Sequence, residues 1–288
     1  MSYCVFMDVL GFHQIVKESF EAASPEPSFN RFYGVITEQV QDLRGRRGDD
    51  GQSPGWEMKV FTDNIVLGYP LHSPEGEREF AEIVAQVADY QLAMALEGFF
   101  VRGGLSYGRL FMDDYTVYGP AILDAHELES KKARDPRIVL SAKVHELVRS
   151  FSAYYETPQD SPYNKAVLID PDGLAYINYL ERLTSEGASG ELVDWDGVRR
   201  HKENVEGALG KHYSDPSVWP KYYWLANYHD YFCGQYSHVV GYDEALLIDG
   251  ELAKRLPSRL ADATLPGRPA TTGKGGVRVT ARIRPTSE

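Results

Sequence analysis

The sequence predicts an α+β fold: a βαββαβ core of the ferredoxin-like kind, followed by a mixed α/β appendage. Three observations carry that expectation. Between residues 3 and 106 the hydrophobic patterning runs in the order strand, helix, strand, strand, helix, strand. A turn at Thr62, Asp63 and Asn64 folds two short apolar runs of that series into a hairpin. Beyond residue 152 the pattern changes to short strand-like runs and two longer helical stretches.

Tyr3 to Met7 is an unbroken apolar run, as expected of a strand covered on both faces. In "FNRFYGVITEQVQDL", Phe29, Phe32, Tyr33, Ile36, Val40 and Leu43 fall at helical spacing. The polar, glycine-rich "RGRRGDDGQSPG" reads as a loop, and "MKVF" and "NIVLGY" are the hairpin strands. Ser73, Pro74 and Glu75 read as a helix start, and Phe80, Ile83, Val84, Val87 and Met94 trace the apolar face that follows. "FFVRGGLSYG" returns as a strand and "RLFMDD" as another. Pro120 opens a helix through "AILDAHELESKK", "RIVL" is a strand and "AKVHELVRSF" a helix.

These elements place a core at residues 1–152, an appendage packed on it at 153–262 and a flexible basic tail at 263–288, rich in Gly, Pro, Thr and Arg with little to bury. Within the appendage, "KAVLID" and "YINYL" read as strands, "VDWDGVRRHKENVEGALGKH" and "VWPKYYWLANYHDYF" as helices. The aromatic side chains of the last stretch, Tyr222 to Phe232, fall at helical spacing and are expected to pack structurally.

At 288 residues with 43% hydrophobic content the chain can bury a sizeable core. A formal charge of −12 argues against a stable nucleic-acid surface, because affinity for phosphate backbones comes from Lys and Arg, but leaves a nucleotide pocket open. Cys4 and Cys233 lack paired spacing, which points to a reduced, cytoplasmic setting. The first apolar run lacks the basic segment of a signal peptide and no stretch is long enough to cross a bilayer, so direct membrane insertion is not expected.

Asp8 ends the first strand and Asp63 sits at the hairpin tip, two places that this topology brings to one end of the sheet. Converging carboxylates suit hard divalent cations such as Mg²⁺ or Mn²⁺, which bind through a few oxygens and share the rest of their coordination with substrate phosphates. Taken alone, Asp8 reads most often as a strand-end or turn residue, and Asp63 reads equally well as part of a hairpin tip.

"DVLGF" (Asp8 to Phe12), "KVFTDNIV" (Lys59 to Val66), "VRGGLSYG" (Val101 to Gly108) and "YTVYGPAILDAHELES" (Tyr115 to Ser130) resemble, in order and spacing, the signature blocks of class III nucleotidyl cyclases. "GPAILDAHELESKKARDPRIVLS" and "KYYWLANYHDYF" further resemble the bacterial pyrimidine (uridylate and cytidylate) cyclases of Pycsar antiphage defence. The resemblance implies two Mn²⁺ or Mg²⁺ ions per site, held by Asp8, Asp63 and the Val9 carbonyl. It implies base selection by Lys59 and Thr116, and a head-to-tail homodimer with sites at the interface. Its substrate would be a nucleoside triphosphate, and its cyclic product would be sensed by a separate effector protein.

The match departs from the family twice. Leu123 stands where an asparagine is expected and Glu127 where a phosphate-stabilising arginine is expected, leaving Arg102, Lys131, Lys132 and Arg137 as candidates by proximity in sequence. Lys59 is a pure donor, which suits uracil O4 or adenine N1 better than the cytosine amine. Uridylate cyclase is therefore the favoured reading, with cytidylate or adenylate cyclase, or a non-catalytic nucleotide sensor, as alternatives. "GLSYG" also fits the serine-hydrolase pattern G-x-S-x-G, with Ser106 as nucleophile, but that motif requires a helix where "RLFM" reads as a strand. "HELES" lacks the second histidine of a zinc protease helix.

Overall fold

The computed structural model describes residues 1–21, 26–45, 55–188, 190–248 and 258–260. The expected tail, 263–288, and most of the polar loop after Arg44 lie outside the described residues.

The opening apolar run forms β1 (Ser2–Val9), and its side chains alternate between two hydrophobic layers. Tyr3, Val5, Met7 and Val9 enter the main core; Cys4 and Phe6 enter a smaller one with Ala121 and Ala125. β1 pairs antiparallel with β3 (Asn64–Pro70) on one side and with β4 (Val101–Gly108) on the other. β2 (Glu57–Phe61) closes the hairpin with β3. Between β1 and β2 run α1 (Phe12–Glu21), which the periodicity had not signalled, and α2 (Glu26–Gly45).

The helix between β3 and β4 is α3 (Glu77–Leu96), with Phe80, Ile83, Val84, Val87 and Met94 all buried. It begins later than the Ser73–Pro74 signal suggests. The Glu79 carboxylate accepts from the backbone N–H of His72 and Ser73 at 2.9 and 2.8 Å, which ties that stretch down as a loop, and Gly76 in a left-handed conformation starts the helix. "RLFMDD" differs as well. Only Phe111–Met112 is extended, as β5, and it pairs with β6 (Val117–Tyr118) in a separate small hairpin. Asp113 turns the chain there by accepting from Tyr115 and Thr116 N–H.

Pro120 opens α4 (Pro120–Glu127), which ends in a π-helical turn, Leu128–Lys132. β7 (Ile138–Leu140) then pairs parallel with β4. α5 (Ala142–Ser152) starts at Ser141, whose side chain accepts from Val144 N–H. After the short α6 (Tyr163–Ala166), β8 (Val167–Ile169) and β9 (Ala175–Ile177) join the same sheet, and β12 (Ser258–Arg259) pairs with β8. The result is one eight-stranded mixed sheet in the order β12-β8-β9-β7-β4-β1-β3-β2. β10 (Thr184–Gly187) and β11 (Gly190–Val193) form a hairpin outside it.

The two long helices beyond it, α7 (Trp195–Lys211) and α8 (Trp219–Gln235), continue the main core. Tyr222, Tyr228, Tyr231 and Phe232 are buried, and Tyr228 Oη binds both Leu180 N–H and Asn178 Oδ1, so this aromatic stretch packs structurally. α7 and α8 are joined by a buried polar chain. His229 Nε2 donates to the Leu246 carbonyl at 2.9 Å, so its Nδ1 accepts from His201 Nδ1–H at 3.0 Å, and His201 Nε2 accepts from Tyr179 Oη at 2.7 Å. Among the described residues no helix is long and apolar enough to cross a membrane.

Candidate active site

The site forms where β1 ends beside the β2–β3 turn. Asp8 is in register with Arg102 on β4, and the Arg102 guanidinium donates to Asp8 Oδ2 from Nε and Nη2 at 3.2 and 3.0 Å. The same Arg102 Nη2 lies 2.7 Å from Glu129 Oε1, an oxygen that makes no well-directed hydrogen bond, so that contact is ionic. Glu129 is carried by the π-helical turn after α4, the kind of local widening that recurs at functional sites. Burial raises its carboxyl above the usual range, with Arg102 opposing.

That turn reaches the strand because β4 is bare at Gly104. A Cβ there would stand 2.4 Å from the Ala125 carbonyl oxygen and 2.5 Å from Leu128 Cβ, so only glycine lets α4 approach so closely.

Opposite, the hairpin closes through the Phe61 to Asn64 pair and places Thr62 at φ 58°. A β-branched residue in the left-handed region costs on the order of 1–3 kcal/mol, strain of the kind stored at working sites. Thr62 Oγ1 donates to Asp63 Oδ1 at 2.9 Å, and Asn64 Nδ2 lies 3.3 Å from the same oxygen. Asp63 is only 6% exposed. Its carboxyl is raised to about 7, first by burial and then by the Asp8 carboxyl within hydrogen-bonding reach.

The donor set fits a hard divalent cation. Two carboxylates pressed together out of water repel one another, and Arg102 relieves only Asp8, so a cation between them would remove the penalty on Asp63. Among the described residues no group of three or more His, Cys, Asp or Glu side chains could hold a metal. The protein would supply two side chains and the Val9 carbonyl, with water completing the coordination, as Mg²⁺ prefers.

The other expected residues divide. Lys59 lies on β2, and its charge reaches Asp113, the residue that accepts from Thr116 N–H at 2.8 Å. Lys131 pairs with Glu127 at 3.0 Å on the outside of the turn, and Lys132 is exposed beside it. Leu123 is 69% exposed. Arg137 is buried against Asp170 and Asp172, below the rings of Tyr176 and Trp224, and is committed to those partners. Ser106 is fully buried in mid-strand and donates to the Ala121 carbonyl at 2.6 Å, which removes the nucleophile that a hydrolase would need.

Sequence reasoning missed Glu129 and Lys221. Lys221, on the first turn of α8, is half-buried within the field of Arg102, Asp135, Asp215 and Asp8. Nothing in their local spacing marks either residue, since both reach the site only through tertiary packing.

No protein-family model and no curated protein matches the sequence. Among solved structures, the crystal structure of the guanylyl cyclase Cya2 aligns with 61% of this chain and 90% of its own, at 12% identity and a TM-score of 0.36. At that score the likeness carries no weight for the activity.

Proposed function

We propose that the protein is a nucleotide cyclase, in which the substrate's 3′-oxygen attacks its own α-phosphorus. The bond from that phosphorus to the leaving bridging oxygen breaks, pyrophosphate departs and the hydroxyl proton passes to solvent. One observation carries the reading: Asp8 and Asp63, far apart in sequence, meet at one end of the sheet with Asp63 raised to about 7 by their proximity and by burial. The antiparallel order β4-β1-β3-β2, with helices between β1 and β2 and between β3 and β4, supports placing them on a ferredoxin-like cyclase core.

Divalent Mn²⁺ or Mg²⁺, when bound, would neutralise phosphate charge and acidify the 3′-hydroxyl. Asp8 and Asp63, with the Val9 carbonyl, are the groups to hold the ions. Arg102 holds Asp8 in position through its two hydrogen bonds. Lys59 and Thr116 select the base, and a donor at Lys59 favours UTP over CTP, giving cyclic UMP as the messenger of a Pycsar-type defence. Phe61, Tyr115, Tyr118 and Leu123 are large apolar or aromatic side chains left exposed, which suits a homodimer in which a second copy covers some of them.

A non-catalytic nucleotide sensor is the second reading, favoured by Leu123 and Glu127, neither of which offers positive charge to a phosphate. Incubation with each nucleoside triphosphate and Mn²⁺, followed by separation of products, decides between them. A 3′,5′-cyclic monophosphate that disappears with Asp63→Asn supports the enzyme, and turnover should fall by at least about a thousandfold, roughly 4 kcal/mol of barrier. Unchanged triphosphate with retained binding supports the sensor.

A further inference from the structure

Beside Asp8 a cleft of about 780 Å³ opens between the β1–α1 turn and the connection from α7 to α8. Leu10 and Gly11, which follow the expected ligands Asp8 and Val9, form one wall with Gln14, so the N-terminal end of α1 lies at the Asp8 end of the cleft. The opposite wall comes from the region beyond residue 152, and includes Lys211 and Lys221.

Three Lys or Arg residues line this cleft, and two are committed. Arg31 donates to the Glu97 carbonyl and lies over the Phe99 ring. Lys211 Nζ pairs with Glu18 Oε2 at 2.7 Å across the cleft lining. Lys221 Nζ, although half-buried, makes no hydrogen bond or ion pair to any described residue. Its charged neighbours are the Arg102 cation and the carboxylates of Asp135, Asp215 and Asp8. A half-buried ammonium without a partner is costly unless something anionic completes it.

We propose that Lys221 contacts the triphosphate of the bound nucleotide, so that α8 supplies the positive charge that Leu123 and Glu127 do not. This rests on the cyclase reading for the identity of the ligand. The geometry supports it: Lys221 lines the same cleft as Leu10 and Gly11, which directly follow Asp8 and Val9, and among the described residues it is the lining cation with no hydrogen bond or ion pair of its own. A flexible ammonium acting as a point charge is an established way to bind phosphate.

The test uses the full chain and inorganic tripolyphosphate with Mg²⁺, followed by calorimetry. Lys221→Ala should bind it tenfold to a hundredfold more weakly than the unsubstituted protein, with a ligand-free melting temperature no lower, and Lys221→Arg should recover affinity to within about threefold. Lys211→Ala removes the same charge from the same cleft but from a paired residue, and should change affinity less than about threefold. If Lys221→Ala binds normally, or loses no more than Lys211→Ala, the assignment is overturned. Should the alanine variant fail to fold, Lys221→Gln keeps the stem and reads the same loss. Product analysis separates the two levels. A protein that cyclises a nucleotide while Lys221→Ala is unimpaired loses only the Lys221 assignment; one that neither cyclises nor binds tripolyphosphate loses both.

Discussion

Replacing Asp63 with asparagine should stabilise the protein at pH 8, and the pH dependence of that gain is diagnostic. The folded state holds the Asp63 carboxyl at about 7 against an ordinary value of 3.8, a rise of about 3 units. At 1.36 kcal/mol per unit this is about 4 kcal/mol, and screening by solvent at the open Asp8 side reduces it to about 2 kcal/mol. The sign follows from proton counting: between pH 4 and 7 the folded chain keeps a proton that the unfolded chain has released. Stability contributed by this group therefore falls as pH rises through that window and stays low above it. Asparagine retains an acceptor for Thr62 and Asn64 at Oδ1 and removes the titration. Urea melts without divalent metal, run from pH 4.5 to 8.5, should show the variant about 2 kcal/mol more stable at pH 8, with a melting temperature about 4 °C higher, and the difference vanishing toward pH 4. Added Mg²⁺ should stabilise the unsubstituted protein and not the variant. A variant that is less stable at pH 8, or a difference independent of pH, refutes the claim that the two carboxyls share one confined space.

Gly104→Ala should cost about 1–3 kcal/mol and lower the melting temperature by several degrees, because its Cβ would collide with the Ala125 carbonyl 2.4 Å away; an unchanged melt means that α4 is seated elsewhere. The His229 ring, whose burial pushes it down to about 4, should stay neutral with its proton on Nε2 as pH falls from 6.5. Unfolded histidine takes up a proton in that range and the folded one does not, so up to about 3 kcal/mol of stability is lost between pH 6.5 and 4. Nitrogen chemical shifts showing protonation near 6.5 would exclude this. Lys59→Glu should redirect or erase base preference in the panel of triphosphates, and an unaltered preference places Lys59 away from the base.

The meeting of Asp8 and Asp63 was legible because both sit at ends of strongly patterned strands, where topology alone fixes their neighbourhood. α3, α5, α7 and α8 were legible from apolar spacing, and the loss of the Ser106 nucleophile from the strand pattern around it. Glu129 and Lys221 were not, since a charged residue on a helix looks the same whether it faces solvent or a carboxylate until tertiary packing is known. Arg137 shows the opposite failing: its proximity in sequence to the other candidates says nothing of Asp170 and Asp172, which claim it from the turn between β8 and β9. The short β5–β6 hairpin escaped because Asp113 breaks the apolar run after two extended residues.

The parallel pairing of β4 with β7, and the addition of β9 and β8 beyond it, has a practical meaning for anyone dissecting this chain. A fragment ending at Ser152 would leave the backbone of Ile138 to Leu140 as a raw apolar border, open to any other extended peptide, and is expected to clump on expression. The second half of the polypeptide is thus the hem that keeps the first from fraying, and the two must be made and studied as a single piece.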